Sequence, residues 1–280
     1  MKKLFPVLFV SAFSFLTAFS QEKKVPYGNN PANGKFYEIR GVKMYAETYG
    51  SGAPLLIIHG NGGSIKDFSN QIPYFAKKYK VILADGRSHG KTKDAGDSLT
   101  YEMMTDDLAA LLSAMGVDSA NVIGWSDGGI NGLLLAIRHP EKVKKLAITG
   151  ANLWPDSTAV VPGVVNMVQS MYAQIIPEKN KNEANKVGFK LVRLMVEQPH
   201  ISLEQLKTIQ APTLVIGGDH DVILEEHTMQ IYKALPKAYL WILPNSGHAT
   251  PMVYKDEFNA VVGRFLKEPY KTYTIEQRFY

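Results

Sequence analysis

The sequence predicts an α/β protein: a mostly parallel eight-stranded sheet with helices on both faces and an inserted helical cap. Two observations carry this. Continuous Val/Ile/Leu runs, ending in glycine or polar residues, alternate with segments of helical spacing, the pattern of a sheet buried on both faces. Between about residues 152 and 206 the alternation breaks into helical composition with no strand-like run. The core then spans 35–151 and 207–268, and the cap 152–206.

The elements follow in order. FYEIR and VKMYAETYG alternate around Gly41 and form a hairpin. PLLIIHG (54–60) and KVILADG (80–86) are buried strands, with a helix expected over 66–78. In 101–116, Met104, Leu108, Leu111, Leu112 and Met115 share one helix face, and Gly116 stops it. NVIGWS is the next strand, 127–138 a helix and VKKLAITGA (143–151) a strand. TLVIGG (213–218), AYLWILP (238–244) and a closing helix over 250–268 complete the domain, leaving a C-terminal tail at 269–280.

Composition bounds the function. The 280 residues are 45% hydrophobic and 20% charged, suited to one sizeable domain. Lys2 and Lys3 precede an apolar run through Phe19, with small residues Ala18 and Ser20 before Gln21. Residues 1–20 therefore read as a signal peptide cut after Ser20, and the protein as exported, periplasmic or secreted. An uncleaved anchor is the alternative; after cleavage no stable membrane insertion is expected. Residues 21–34, rich in Pro, Asn and Gly, read as a flexible leader. Cleavage removes two lysines and no acid, which takes the net charge from +5 to +3 and gives no basis for nucleic-acid binding. There is no cysteine, hence no disulfide, thiolate-bound metal or lipoprotein anchor. No metal-binding motif occurs, and no cofactor is implied.

The chemistry concentrates in Gly124-Trp125-Ser126-Asp127-Gly128-Gly129, between a strand and a helix. Gly-x-Ser-x-Gly in that setting is a nucleophile elbow, which presents the hydroxyl of Ser126 at the C-terminal edge of the sheet. A serine hydroxyl needs a base to take its proton. His248, after AYLWILP, is the candidate base. Asp221, after TLVIGG, is the candidate acid that orients it, with Asp219 as its competitor. The order Ser…Asp…His fits the elbow motif, and all three residues sit at C-terminal strand ends, where open α/β sheets place their sites. The oxyanion donors expected are the backbone N–H of Asp127 and a group of Asn61 in His59-Gly60-Asn61-Gly62-Gly63. His89, in Asp85-Gly86-Arg87-Ser88-His89-Gly90, lies near the expected mouth of the site; it is structural by default, with substrate binding as the alternative. His139 should end a helix, and His200, His220 and His227 should be exposed. In the cap, Trp154, Met167, Met171, Tyr172, Phe189 and Met195 are candidates for an apolar pocket wall, with Trp154 a substrate-binding candidate, although helical Met and aromatic residues are more often plain core.

These motifs, HGNGG, DGRSHG, GWSDGG, GGDHD and SGH, make residues 35–268 resemble the α/β-hydrolase superfamily. DGRSHG departs from the usual Asp-x-Arg-Gly-x-Gly of that family. GWSDGG is similar to the valacyclovir hydrolase (biphenyl hydrolase-like) branch, whose members cleave α-amino acid esters. The resemblance implies a small-molecule ester substrate and a role for Asp127 as the partner of a substrate ammonium. The other reading of Asp127 is an acid favourable with the helix dipole. Three functions stay open: an esterase working through an acyl-enzyme, a C–C bond or lactone hydrolase on the same scaffold, and a ligand-binding protein with an idle triad.

Overall fold

The computed structural model describes residues 25–279. The expected signal peptide lies outside them. Eight strands form one sheet: β1 (Gly34–Ile39), β2 (Val42–Tyr49), β3 (Ala53–Ile58), β4 (Tyr79–Ala84), β5 (Ala120–Trp125), β6 (Val143–Thr149), β7 (Thr213–Gly218) and β8 (Ala238–Leu243). Their spatial order is β1-β2-β4-β3-β5-β6-β7-β8. The first two strands form the expected hairpin and β2 runs antiparallel to β4; every pairing from β4 through β8 is parallel. Side chains of β3 alternate between the two faces. Leu56 and Ile58 join the core under one helical layer, Leu55 and Ile57 the core under the other. That is why the strand reads as an unbroken apolar run.

The helices are α1 (Ile72–Phe75), α2 (Tyr101–Ala114), α3 (Asp127–Arg138), α4 (Pro162–Ile175), α5 (Glu183–Glu197), α6 (Leu203–Leu206), α7 (Glu225–Ala234), α8 (Thr250–Val253) and α9 (Lys255–Lys267). The helix expected over 66–78 is instead a 3-10 turn, Ile65–Phe68, followed by α1, which starts afresh at Gln71-Ile72-Pro73. Proline has no N–H to continue an earlier helix and suits a first turn. The closing helix is interrupted at Tyr254, whose hydroxyl reaches back to the carbonyl of Asn245. α7 has no counterpart in the sequence reading, because its buried face is only His227, Thr228 and Ile231.

The leader is tied down from Gly28 onward. The buried carboxylate of Glu47 accepts from the amides of Gly28 and Asn30, both at 2.9 Å. It also accepts from the hydroxyls of Tyr45 (2.8 Å) and Tyr49 (2.7 Å).

The chain runs from β3 outward to β4, then returns to β5 on the other side of β3. Connections leaving β3 and β5 diverge there and open a crevice at the carboxyl ends of the strands. Between β6 and β7, helices α4 and α5 pack on each other over this crevice, and α6 returns to α3 and α7.

Candidate active site

The elbow is built by β5 delivering the chain to Ser126, which has φ +58° and ψ −123°. Few non-glycine residues adopt such a backbone, and it persists only where the surroundings enforce it. Here the glycines do so by close approach. A Cβ on Gly124 would overlap the carbonyl of Gly128, and one on Gly128 would overlap the carbonyl of Ile58 on β3. The Ser126 amide donates to Thr149 O (2.9 Å), and Gly129 N donates to Ser126 O (2.8 Å).

His248 Nε2 lies 2.9 Å from Ser126 Oγ, and His248 Nδ1 lies 2.6 Å from Asp221 Oδ1. A carboxylate accepts only, so Nδ1 carries the ring proton and Nε2 is left to accept from the serine hydroxyl. Asp221 is buried and its Oδ1 also accepts from Ile223 N at 3.2 Å. The histidine loop is fixed by Trp125, whose indole N–H donates to His248 O at 2.8 Å. The tryptophan of Gly-Trp-Ser thus braces His248 from the strand that carries the serine. Gly150 admits the imidazole: a Cβ there would come within 2.7 Å of His248 Cε1. Asp219 faces away. It accepts from Asn245 N (2.9 Å) and Ser246 N (3.0 Å), so it shapes the turn leading to His248. The His220 ring against it, together with these two amides, holds its carboxyl down to about 2.

On the other side of the serine the HGNGG loop passes close, and a Cβ on Gly60 would lie 3.1 Å from Ser126 Cβ. The Asn61 side-chain amide is already engaged, donating to Asp127 Oδ2 (2.9 Å) and to Leu191 O on α5 (3.2 Å). Asp127 is buried, and burial pushes its carboxyl up to about 6 against the opposing pull of the Asn61 amide, the Tyr101 phenol and His248. Tyr101, buried at the start of α2, is itself pushed up by burial and by that carboxylate. Its backbone N–H donates to Gln198 Oε1 at 3.2 Å.

Ser126, Asp127 and His248 open into a cavity of about 130 Å³, against ~150 Å³ for an engineered apolar cavity that holds benzene. Its wall includes Val164, Val165 and Val168 of α4, Met195 of α5, and Val222 and Ile223 beside Asp221. Tyr101 and Gln198 form its polar end near Asp127. Of the six cap residues that are candidates for a pocket wall, only Met195 lines the cavity. Met167 and Met171 are exposed on α4, and Tyr172 stacks on Phe189 with ring centroids 5.7 Å apart. Sequence spacing identifies a helix face but not which face looks inward, and α4 is apolar on both.

Two further candidates stand outside the cavity wall. Trp154 donates to Thr158 Oγ1 at 2.7 Å and packs edge-on against His227. His89 is buried, its Nδ1 2.8 Å from Arg87 O and its ring 4.9 Å from that of His59. Burial and that neighbour push His89 down to about 4. His227, expected to be exposed, is fully buried. Its Nε2 accepts the N–H of Leu153 at 2.9 Å, a use of histidine as a backbone acceptor that leaves no mark in sequence. His139 does end α3, and His200 and His220 are exposed. Among the described residues no cluster of three or more His, Cys, Asp or Glu could hold a metal ion, and no helix is long and apolar enough to cross a membrane.

The sequence is 25% identical over 248 residues to the serine hydrolase BPHL of Mus musculus, covering 82% of this chain and 84% of that protein. It is 27% identical over 273 residues to 2-hydroxymuconate semialdehyde hydrolase of Pseudomonas sp. (strain CF600), covering 86% and 96%. In three dimensions it superposes on the meta-cleavage product hydrolase of Pseudomonas fluorescens IP01 with a TM-score of 0.71 at 22% identity, covering 85% of this chain and 98% of that one. The family model of the alpha/beta hydrolase fold matches residues 53–200, more than half the chain. The elbow, the parallel sheet and this match together make the chain a member of the α/β-hydrolase family.

Proposed function

We propose that this hydrolase cleaves small carboxylic esters, α-amino acid esters in particular, through an acyl-enzyme. The observation that carries the reading is the unbroken chain from Ser126 Oγ through His248 to Asp221, opening into a cavity. In this reading His248 takes the Ser126 proton as the hydroxyl attacks the ester carbonyl. It then gives that proton to the leaving alcohol, and Asp221 holds the ring and stabilises its cationic form. The Asn61 side chain is committed elsewhere, so the oxyanion donors are the backbone N–H groups of Asn61 and Asp127. Water then releases the acid by the same steps in reverse.

The amino-ester preference rests on Asp127. It is a buried carboxylate at the cavity, held by a neutral amide and a neutral phenol, with no lysine or arginine beside it. Buried carboxylates ordinarily have a cationic partner, and a substrate ammonium supplies one. His89 and Trp154 have no place in this reading, because neither lines the cavity. Likeness to a 2-hydroxymuconate semialdehyde hydrolase supports a second reading, cleavage of a C–C bond by the same groups. Export of the mature chain is part of the proposal and is checked by N-terminal sequencing of the protein from its native cells.

The test is kcat/KM for p-nitrophenyl valinate against p-nitrophenyl isovalerate, which differ only by the α-amino group, in the wild type and in Ser126→Ala. The expected result is a preference for the valinate beyond its intrinsic lability, and loss of about 10⁴-fold or more in the variant. Equal rates on the two esters overturn the role of Asp127. Activity that survives Ser126→Ala overturns the mechanism.

A further inference from the structure

The two ends of the cavity differ in chemistry, and the triad fixes which end takes which half of an ester. Val160 and Ile223 form an antiparallel bridge, Val161 N donates to Val222 O (2.9 Å), and Leu224 N donates to Ala159 O (2.9 Å). The first residues of the cap are thereby stitched to the residues that follow Asp221. Ile223 N in turn donates to Asp221 Oδ1, which holds His248. Val160, Val222 and Ile223, with Val164 and Val168 from the next turns, therefore form an apolar wall on the His248 side of Ser126. Asp127, Tyr101 and Gln198 lie at the other end, and Gln198 Oε1 is fixed on the Tyr101 amide.

In ester cleavage the proton taken from the serine must pass from His248 Nε2 to the oxygen of the departing alcohol, so that oxygen lies on the histidine side. The acyl group lies away from it, toward Asp127. From this arrangement we propose that the wall of Val160, Val164, Val168, Val222 and Ile223 is the leaving-group subsite, and that the substrates are esters of apolar, ring- or chain-bearing alcohols rather than of sugars, nucleosides or other polyols. This rests on the esterase reading above. It adds what that reading leaves open, the alcohol half of the substrate. These five residues offer no polar side chain to a polyol, and of the other polar lining residues away from Asp127, Asn152 already donates its amide to Trp154 O (2.9 Å), which leaves Gln169 of α4 alone to meet a ring of hydroxyls. A benzyl or alkyl group gains by leaving water.

The experiment compares valine benzyl ester with valine methyl ester, and separately valine methyl ester with alanine methyl ester, in the wild type, Val222→Asn and Val164→Asn. The expected result is a wild-type benzyl-to-methyl ratio of kcat/KM that falls by about tenfold or more in both variants, while the valine-to-alanine ratio stays within about twofold. If the valine-to-alanine ratio moves and the benzyl-to-methyl ratio does not, the wall holds the acyl group and the proposal is overturned. Circular dichroism checks that the variants fold, and Val222→Ala serves where an asparagine does not. Binding of benzyl alcohol, followed by saturation-transfer NMR, tests the subsite without the chemistry. Displacement by valine benzyl ester and weakening in both variants support it. Absent binding, or binding unchanged in both variants, overturns it even where the esterase reading holds. Failure to cleave any ester, with benzyl alcohol still bound at this wall, counts against the esterase reading alone.

Discussion

At the scale of single residues, Asp127 is the group whose ionisation has the clearest consequence. Its carboxyl sits at about 6 where an exposed one lies near 3.8, with burial as the main cause. The folded protein therefore binds this proton more tightly than the unfolded chain does. The contribution of Asp127 to stability accordingly falls as pH rises from the ordinary carboxylate value through about 6, so its charge is kept against stability. A charge retained at that cost is what a receptor for a cationic substrate group requires. Loss of the charge should remove the preference. Both p-nitrophenyl esters need the same form of His248, and the α-amino group of the valinate only gains protons as pH falls below neutrality, so a fall in their ratio reports Asp127. Between pH 7 and pH 5 the valinate-to-isovalerate ratio of kcat/KM should fall about tenfold, because about a tenth of the carboxyl stays ionised one unit below its pKa. A ratio that stays level across that range would show that Asp127 is no ammonium receptor.

At the scale of elements, the DGRSHG stretch changes meaning between sequence and structure. Near the expected mouth of the site, it looks like a loop that could touch substrate. In the fold, Asp85 accepts from Ile65 N (3.0 Å) and Lys91 N (2.8 Å), and Arg87 grips Asp107 through Nε (2.7 Å) and Nη2 (3.0 Å). Arg87 also meets Asp94 at 3.2 Å, and Asp94 receives Lys190 from cap helix α5, again at 3.2 Å. Lys190 is 1% exposed and donates further to the carbonyls of Asp94 (3.0 Å) and Gly96 (2.9 Å). A lysine on an amphipathic helix ordinarily faces solvent, so nothing in the sequence marks this one as the pin that holds the cap to the core. Lys190→Met keeps the length of the side chain and removes the charge, leaving two carbonyls and part of a carboxylate without a donor. It should lower unfolding stability by about 3 kcal/mol, read from urea melts, and raise KM more than it lowers kcat, since α5 carries Met195 into the cavity. A variant as stable as the wild type would mean that α5 is held by its apolar contacts alone.

At the scale of the whole molecule, the site is legible in sequence to the extent that it is made from strand ends. Ser126, Asp221 and His248 each follow an apolar run, and a parallel sheet brings the carboxyl ends of its strands to one edge whatever lies between them. The cavity wall is not legible in that way. It depends on which face of α4 turns inward, and α4 turns Val164, Val165 and Val168 to the cavity while the equally apolar Met167 and Met171 stay exposed. The α4 part of the wall is thinly protected. No residue of α4 is buried, while the cap is anchored at its start by the Val160–Ile223 bridge and through α5 by Lys190. The stretch from Ile176 to Asn182 between these anchors is short of buried side chains, and Lys181 is exposed. Openings that admit a protease follow local rather than global stability. Within the body from β1 to α9, brief trypsin treatment should therefore cut first after Lys179 or Lys181. The two pieces should stay together, because β6 on one pairs with β7 on the other throughout the centre of the sheet. Ser126, Asp221 and His248 would then remain assembled from both pieces while the valines of α4 and Met195 of α5 come loose from each other. Esterase activity should fall mainly through KM as the nick accumulates. A first cut in a core segment instead, such as after Lys144 or Lys207, would show that the cap is as firmly held as the sheet beneath it.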